Sequence, residues 1–337
     1  MNIKERYDLV MRNTQEVITN SELRKLLEEK KSPTAYIGYA PTGKLHVGHL
    51  IPLLKIGDFL RAGFKFKFLI ANLHAHLDDQ KSPWSLLEAR SDYYQEIATA
   101  VLNALGVDTG KLSFVRGSDF QTGHDYVLDM LRMSALTTLN RTKRAASEVV
   151  RFGKEPKMGG FFYPLMQIRD CVGLDVDVAY GGIDQRGIYM LGRELLPEIN
   201  HDKPICVFTP LLPGLTGGKM SASDEKSKID LLDSKKEVES KVKKAYCKEG
   251  EIKENGVLAF CEYFIFPFKG KLKIERPEKF GGNVNYKSYS ELEKDFVKKK
   301  LHPMDLKESV AKEITEVLEP VRKVFEKKKG LVKEAYP

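Results

Sequence analysis

Two short stretches carry residue types that together could do phosphate chemistry. The first is Tyr36-Ile-Gly38-Tyr-Ala-Pro-Thr-Gly-Lys-Leu-His46-Val-Gly48-His49, in which two histidines stand three apart around a glycine. They open an apolar-periodic segment that runs from Val47 to Ala62. A helix N-terminus presents free N–H groups and a partial positive charge. A glycine there lets a triphosphate lie against the backbone while the two imidazoles flank it. The same pair also suits metal binding or no role at all, because a short motif is a hypothesis. The second stretch is Gly217-Gly-Lys219-Met220-Ser221-Ala222-Ser223. A lysine among glycines and hydroxyls is the chemistry of a phosphate clamp, with a point charge and a set of donors. The GxxxxGK[ST] spacing is absent from this stretch, so it is not a P-loop. Alone, this stretch reads equally as a hydrophilic loop.

These residues need elements to position them. Thr34 to Tyr39 reads as a strand, broken at Pro41 and Gly43 before the apolar segment. Strand, turn and helix make the first unit of a parallel α/β sheet. Lys65 to Asn72 reads as a buried second strand, and Asn72-Leu-His74-Ala-His-Leu-Asp78 brings polar groups to its C-terminal end, where open α/β sheets bind ligands. Further strands are expected at 112–115, 176–180 and 205–208, with helices at 83–105, 124–135, 137–150, 161–172 and 186–197. The helix at 137–150 carries the basic cluster Arg141, Lys143 and Arg144. On the helix at 161–172, Tyr163, Gln167 and Asp170 share one face at i, i+4 and i+7, which by itself is an ordinary polar stripe.

The expected fold class is α/β: a Rossmann-like doubly wound parallel sheet over 34–212. Residues 1–33 read as a helical lead-in, 213–233 as loop and linker, and 234–337 as a smaller, mainly helical C-terminal domain. That second domain is expected to be interrupted at Phe264-Ile-Phe-Pro-Phe268 and across 276–285.

Composition sets outer bounds. A hydrophobic content of 42 % and a charged content of 30 % in 337 residues is that of an ordinary globular protein. The 55 basic against 47 acidic side chains, a net +8, allow a polyanionic partner without requiring one. No apolar run is long enough for a membrane helix, and the charged start lacks the apolar core of a secretion signal. The four cysteines form no CxxC pair, which fits reduced thiols of a cytoplasmic protein better than a disulfide frame or zinc site.

HVGH and KMSAS in one chain resemble the paired signatures of the class I aminoacyl-tRNA synthetases. The resemblance extends over nearly the whole chain to tyrosyl-tRNA synthetases of the archaeal and eukaryotic type. It is carried by YIGYAPTGKLHVGH, ANLHAHLDD, YPLMQIRD, GGIDQRGIYMLGRELLP, PGLTGGKMSAS, KKAYC, RPEKFGG and LHPMDLK. It implies an enzyme that joins L-tyrosine to ATP, releasing pyrophosphate, and then loads tRNA(Tyr). ATP with Mg²⁺ held by its phosphates, a homodimer and a cytoplasmic setting come with it. No membrane partner does.

The resemblance also implies roles. His46, His49, Lys219, Ser221 and Ser223 would stabilise the charge on the leaving pyrophosphate. Tyr36 and Asp170 would hold the phenol hydroxyl. Tyr163, Gln167 and Gln185 would take the α-amino and carboxylate groups, with Gly38, Leu69, Ala71, His74 and Gln121 lining the pocket. Gly48, Gly182, Asp184, Met220 and Ala222 would meet the adenylate. For tRNA, Arg144 and Arg186 would approach the acceptor stem, and Phe280, His302 and Asp305 the anticodon. Read without the resemblance, Phe280 is a core aromatic, Asp305 a helix N-cap and His74 a core histidine.

Three positions depart from the pattern. Ala222 stands where the usual signature has a lysine, so the clamp has one charge fewer; KMSAS is also common in tryptophanyl-tRNA synthetases. Gly187 replaces a basic residue of some archaeal relatives, and Asn72 an acid. The rival readings are a tryptophanyl enzyme, a catalytically silent tRNA-binding protein on the same scaffold, and a small-molecule nucleotidyltransferase.

Overall fold

The computed structural model describes residues 1–215 and 228–337. Lys219, Met220, Ser221, Ala222 and Ser223 lie outside the described residues. The first part of the chain runs α1 (Ile3–Met11), β1 (Glu16–Ile18), α2 (Asn20–Glu29), β2 (Thr34–Tyr39), α3 (Leu50–Arg61), β3 (Lys65–Ile70), α4 (Asn72–Leu77), α5 (Leu87–Ala104) and β4 (Leu112–Arg116). It continues with α6 (His124–Leu136), α7 (Leu139–Ala145), α8 (Met158–Gly173), β5 (Val178–Gly182), α9 (Arg186–Glu198) and β6 (Ile205–Thr209). The six strands lie in the order β1-β6-β5-β2-β3-β4, parallel except for β1, which pairs antiparallel with β6.

The expected α/β fold is what forms. From β2 the chain winds outward to β3 and β4, then returns to place β5 and β6 on the other side. The winding reverses between β2 and β5, and this is where a doubly wound sheet opens a crevice. Here β2 and β5 pair only at Ala35↔Val178 and Tyr36↔Ala179, although β2 continues to Tyr39 and β5 to Gly182. Their C-terminal ends therefore part, and the gap is the cleft described below.

Helix α3 is apolar on most sides, so it packs deep rather than along one face: Leu50, Ile51, Leu53, Leu54, Ile56 and Phe59 are all buried. Ala62 caps its C-terminus, and Gly63 follows at φ +89°, a left-handed turn that costs glycine little.

Beyond the sheet come α10 (Lys235–Lys244), α11 (Gly256–Phe260), α12 (Phe266–Lys269), a hairpin of β7 (Leu272–Ile274) and β8 (Val284–Tyr286), then α13 (Tyr289–Val297), α14 (Pro303–Glu326) and α15 (Lys329–Ala335). One continuous core runs from the sheet into these helices. Buried apolar contact joins the two parts.

Three local expectations change. The lead-in contains strand β1, whose three residues are too short for any periodicity to mark. Asn72, read as the end of the second strand, instead opens the short helix α4, and β3 stops at Ile70. Asn72 accounts for its own place there: its Oδ1 accepts from the N–H groups of Leu73 and Ser118, both at 3.0 Å, and its Nδ2 donates to Ser118 Oγ at 2.9 Å. Nor does Phe264–Phe268 interrupt the helices. A π-turn at Cys261–Ile265 carries α11 directly into α12 and accommodates Pro267.

Candidate active site

The parted ends of β2 and β5 enclose a cleft of about 330 Å³. Its floor is Tyr36 of β2, with Tyr163, Gln167 and Asp170 of α8 along one wall. The i, i+4, i+7 spacing thus does bring these three to a common face. Leu69, Ala71 and His74 close the side from β3 and α4, and Gly38 leaves room above Tyr36. Toward the mouth stand His46, Gly48 and His49 on one bank and Gly182, Asp184 and Gln185 on the other.

Asp170 is 1 % exposed. Its Oδ1 accepts from Gln121 Nε2 and from the Tyr126 hydroxyl, each at 2.8 Å. Gln121 therefore stands behind the carboxylate instead of on the cleft wall. His74 Nε2 approaches Asp170 Oδ2 at 3.7 Å. Burial drives the His74 pKa down to about 3, so this contact is not an ion pair at neutral pH. Burial also pushes the Asp170 carboxyl up to about 7, against the pull of Gln121, Tyr126 and Arg169. The Tyr36 hydroxyl meets Tyr189 O–H at 2.9 Å and donates to the Gln167 carbonyl at 3.3 Å. Gln167 Nε2 in turn donates to Gln185 Oε1 at 3.0 Å.

Sequence reading missed Tyr126 and Tyr189. Tyr126 comes from α6, reaches Asp170 across the helix pair, and lies beneath the Arg169 guanidinium at 5.3 Å, which Asp129 holds at 2.8 Å. Tyr189 occupies the buried face of α9. Both lie on helices whose own periodicity says only that they face inward, so nothing local marked them.

At the mouth, Val47–His49 forms a single 3₁₀ turn before α3, and His46 caps it: Gly48 N–H donates to His46 Nδ1 at 3.2 Å. An Nδ1 that accepts leaves the proton on Nε2, the nitrogen available to a ligand. His49 Nδ1 lies 3.1 Å from both the N–H and the carbonyl of His46, a contact either tautomer can make. Burial lowers the His46 pKa to about 2 and that of His49 to about 4, so both rings are neutral at physiological pH. They can offer hydrogen bonds and do not supply charge. The chain on either side of the undescribed stretch packs here too. Val47 N–H donates to the Ile229 carbonyl at 2.9 Å and Leu231 N–H to Leu45 O at 3.0 Å, while Leu215 is buried in the same core.

At Gly182 a Cβ would meet Asp184 Oδ1 at 2.6 Å and Leu211 Cδ2 at 2.9 Å, so any larger residue must displace those side chains. Gly187 is tighter still, with the Ala145 carbonyl 2.3 Å from a Cβ position, so α7 and α9 touch at that point. Exposed Arg144 and Arg186 flank this contact in sequence, and Arg186 pairs with Glu16 at 2.7 Å. Phe280 is 59 % exposed, not a core aromatic, and ends a 3₁₀ turn between β7 and β8. His302, not Asp305, caps α14; Asp305 lies in its first turn, 4.0 Å from Arg276, whose Nε also binds Gly282 O at 2.9 Å. The three predicted anticodon residues thus flank one turn region tied by Arg276.

Residues 28–319 match the family described as tRNA synthetases class I (W and Y). The chain belongs to that family. A tyrosine--tRNA ligase of Haloarcula marismortui is 54 % identical over the whole of this chain and 98 % of its own length. A cytoplasmic tyrosine--tRNA ligase of Gallus gallus is 44 % identical over 99 % of this chain, which spans 64 % of that longer protein. Among solved structures, the tyrosyl-tRNA synthetase of Archaeoglobus fulgidus complexed with L-tyrosine superposes with a TM-score of 0.90 at 44 % identity, covering 96 % of this chain and 99 % of the other. Of the two signature stretches read from the sequence, HVGH forms the turn at the cleft mouth, and KMSAS lies outside the described residues.

Proposed function

We propose that the chain is a tyrosine–tRNA ligase whose cleft holds tyrosine at its floor and ATP at its mouth. Activation needs no enzyme nucleophile, because the amino-acid carboxylate attacks the α-phosphate and pyrophosphate leaves. The protein's task is positioning and stabilising the charge that moves onto the leaving group. The observation that carries the reading is one cleft with a buried carboxylate and tyrosine hydroxyl at one end and the His46–His49 turn at the other.

In this reading Asp170 accepts the phenol proton, Tyr36 completes the hydrogen bonding, and Tyr163, Gln167 and Gln185 take the ammonium and carboxylate. Gly48, Gly182 and Asp184 receive the nucleotide, and His46 and His49 form one jaw. Lys219, Ser221 and Ser223, with Met220 and Ala222, form the other from the segment outside the described residues. Magnesium arrives with ATP, bound to phosphate oxygens. Residues 34–212 are the catalytic domain, preceded by the lead-in at 1–33 and followed by the signature loop and linker at 213–233. Residues 234–337 read the anticodon of tRNA(Tyr) through Phe280, His302 and Asp305, while Arg144 and Arg186 meet the acceptor stem. The setting is cytoplasmic; among the described residues no helix is long and apolar enough to cross a membrane.

The direct test is ATP–pyrophosphate exchange run with each of the twenty amino acids. Exchange with tyrosine alone is expected. Exchange with tryptophan would favour the indole enzyme, and none at all a silent tRNA-binding protein.

A pH dependence follows from Asp170. Below pH 7 its carboxyl holds its own proton and stops accepting the phenol's, whereas the phenol itself stays neutral across this range. The KM for tyrosine is expected to rise as pH falls from 8 to 6. A flat profile would contradict the acceptor role.

A homodimer is part of the proposal. Val127, Leu128 and Leu131 of α6, Leu139 of α7, and Met158 and Phe162 of α8 are exposed, Leu131 at 60 %. Large apolar side chains left exposed on helices that pack against one another suit an interface between two copies. Leu131→Asp is expected to turn a dimer into a monomer in sedimentation equilibrium; an unchanged mass would move the interface elsewhere.

A further inference from the structure

The turn Ala40–Lys44 joins β2 to the HVGH motif, so its placement sets where the two histidines stand. Within this turn the only backbone hydrogen bond across residues 40–44 is Thr42 N–H to Ala40 O at 2.8 Å. It is held from outside. Tyr94 of α5 donates from its hydroxyl to Gly43 O at 2.6 Å. One turn earlier on α5, Arg90 is 8 % exposed and binds three separate segments at once. Its Nη1 lies 3.1 Å from Thr42 O, 3.0 Å from Lys81 O and 3.0 Å from Ser82 Oγ; its Nε donates to Ala335 O at 3.0 Å. The Tyr336 ring completes the group. The Arg90 guanidinium lies 4.9 Å from its centroid and the Lys44 ammonium, on the turn itself, 5.8 Å from it.

We propose that Arg90 and Tyr336 are positioning residues for adenylate formation, a clasp by which the segment after α15 fixes the turn that carries the histidine pair. The inference rests on the reading that ATP lies at the HVGH mouth. A buried guanidinium that satisfies carbonyls from three segments loses several charge-assisted bonds if any one of them moves. The aromatic face on which it and Lys44 rest adds attraction to both cations in a partly dry site. Neither Arg90 nor Tyr336 lines the cleft, and its tyrosine end is lined from β2, β3, α4, α8 and α9, with Tyr126 of α6 behind Asp170 and no contribution from α15. Loosening the clasp therefore shifts the nucleotide end while leaving the amino-acid end in place.

The test is steady-state ATP–pyrophosphate exchange on the full chain and on Tyr336→Ala, Tyr336→Phe and Arg90→Lys, varying ATP and tyrosine separately. In Tyr336→Ala and Arg90→Lys, kcat/KM for ATP is expected to fall about 10- to 100-fold, the scale of small misplacements at a reacting centre. The KM for tyrosine stays within about twofold of the parent, since its contacts are untouched. Tyr336→Phe keeps the ring and restores the nucleotide parameter toward the parent value. A KM for tyrosine that rises as much as kcat/KM for ATP falls, or no loss in the ATP parameter, overturns the clasp. Should Arg90→Lys fail to fold, the Tyr336 pair decides the matter alone. A parent protein that exchanges nothing with tyrosine overturns the activity reading, and the clasp falls with it. A parent that exchanges while the variants keep their ATP parameters overturns the clasp only.

Discussion

Asp170→Asn is expected to lose tyrosine activation while the protein becomes more stable. The amide oxygen can still accept from Gln121 and Tyr126, so the surroundings stay intact. Its NH₂ then stands where the second carboxylate oxygen was and offers a donor to a phenol that needs an acceptor. A hydrogen bond to a charged group is worth ~1.5–3 kcal/mol. The expected loss in kcat/KM for tyrosine is thus about 10- to 100-fold.

Stability moves the other way. Burial raises the folded-state pKa of Asp170 to about 7, so the penalty for burying its charge is absent below the unfolded-state value and grows as pH rises to 7. At pH 8 the wild-type chain bears that penalty in full and the asparagine variant does not. Thermal unfolding should therefore give Asp170→Asn the higher Tm at pH 8, with the gap narrowing toward pH 4. A variant less stable at pH 8 would mean that the carboxylate holds the fold together and is not a burden kept for binding.

His46→Ala is the second large effect. The ring is neutral and caps its own 3₁₀ turn through Nδ1, which leaves Nε2–H as the donor for the proposed nucleotide. A preorganised donor aimed at developing charge contributes most in the transition state, and its removal costs about 10²–10³ in rate. The KM for tyrosine should hardly move, because the proposed phenol site, at Asp170, is at the far end of the cleft. Pre-steady-state adenylate formation separates the two quantities. A raised tyrosine KM at a normal rate would remove His46 from the chemistry.

The sheet was legible because β2, β3 and β6 are short apolar runs bounded by turns and followed by helical periodicity, and that pattern depends on neighbours in sequence. The helix face of Tyr163, Gln167 and Asp170 was legible for the same reason. What the face meets was not. Tyr126 arrives from α6 and Tyr189 from α9, and their contacts depend on how whole helices pack against one another. Strand β1 was missed because its three residues form a strand only by pairing with β6, far along the chain. Arg90 reads as one more charged residue on an amphipathic helix until the fold brings Thr42, Lys81 and Ala335 to it. Signals from local sequence found the elements and the motif turns. Signals that need a partner distant in sequence were invisible.

The most direct measurement is a crystal structure with a non-hydrolysable tyrosyl-adenylate analogue bound. The phenol oxygen should lie within hydrogen-bond distance of both the Tyr36 hydroxyl and the Asp170 carboxylate, with the ribose near Gly182 and Asp184 and the phosphate-side atoms against His46 and His49. An analogue that binds with its phenol turned away from Asp170, or outside the gap between β2 and β5, would contradict the account.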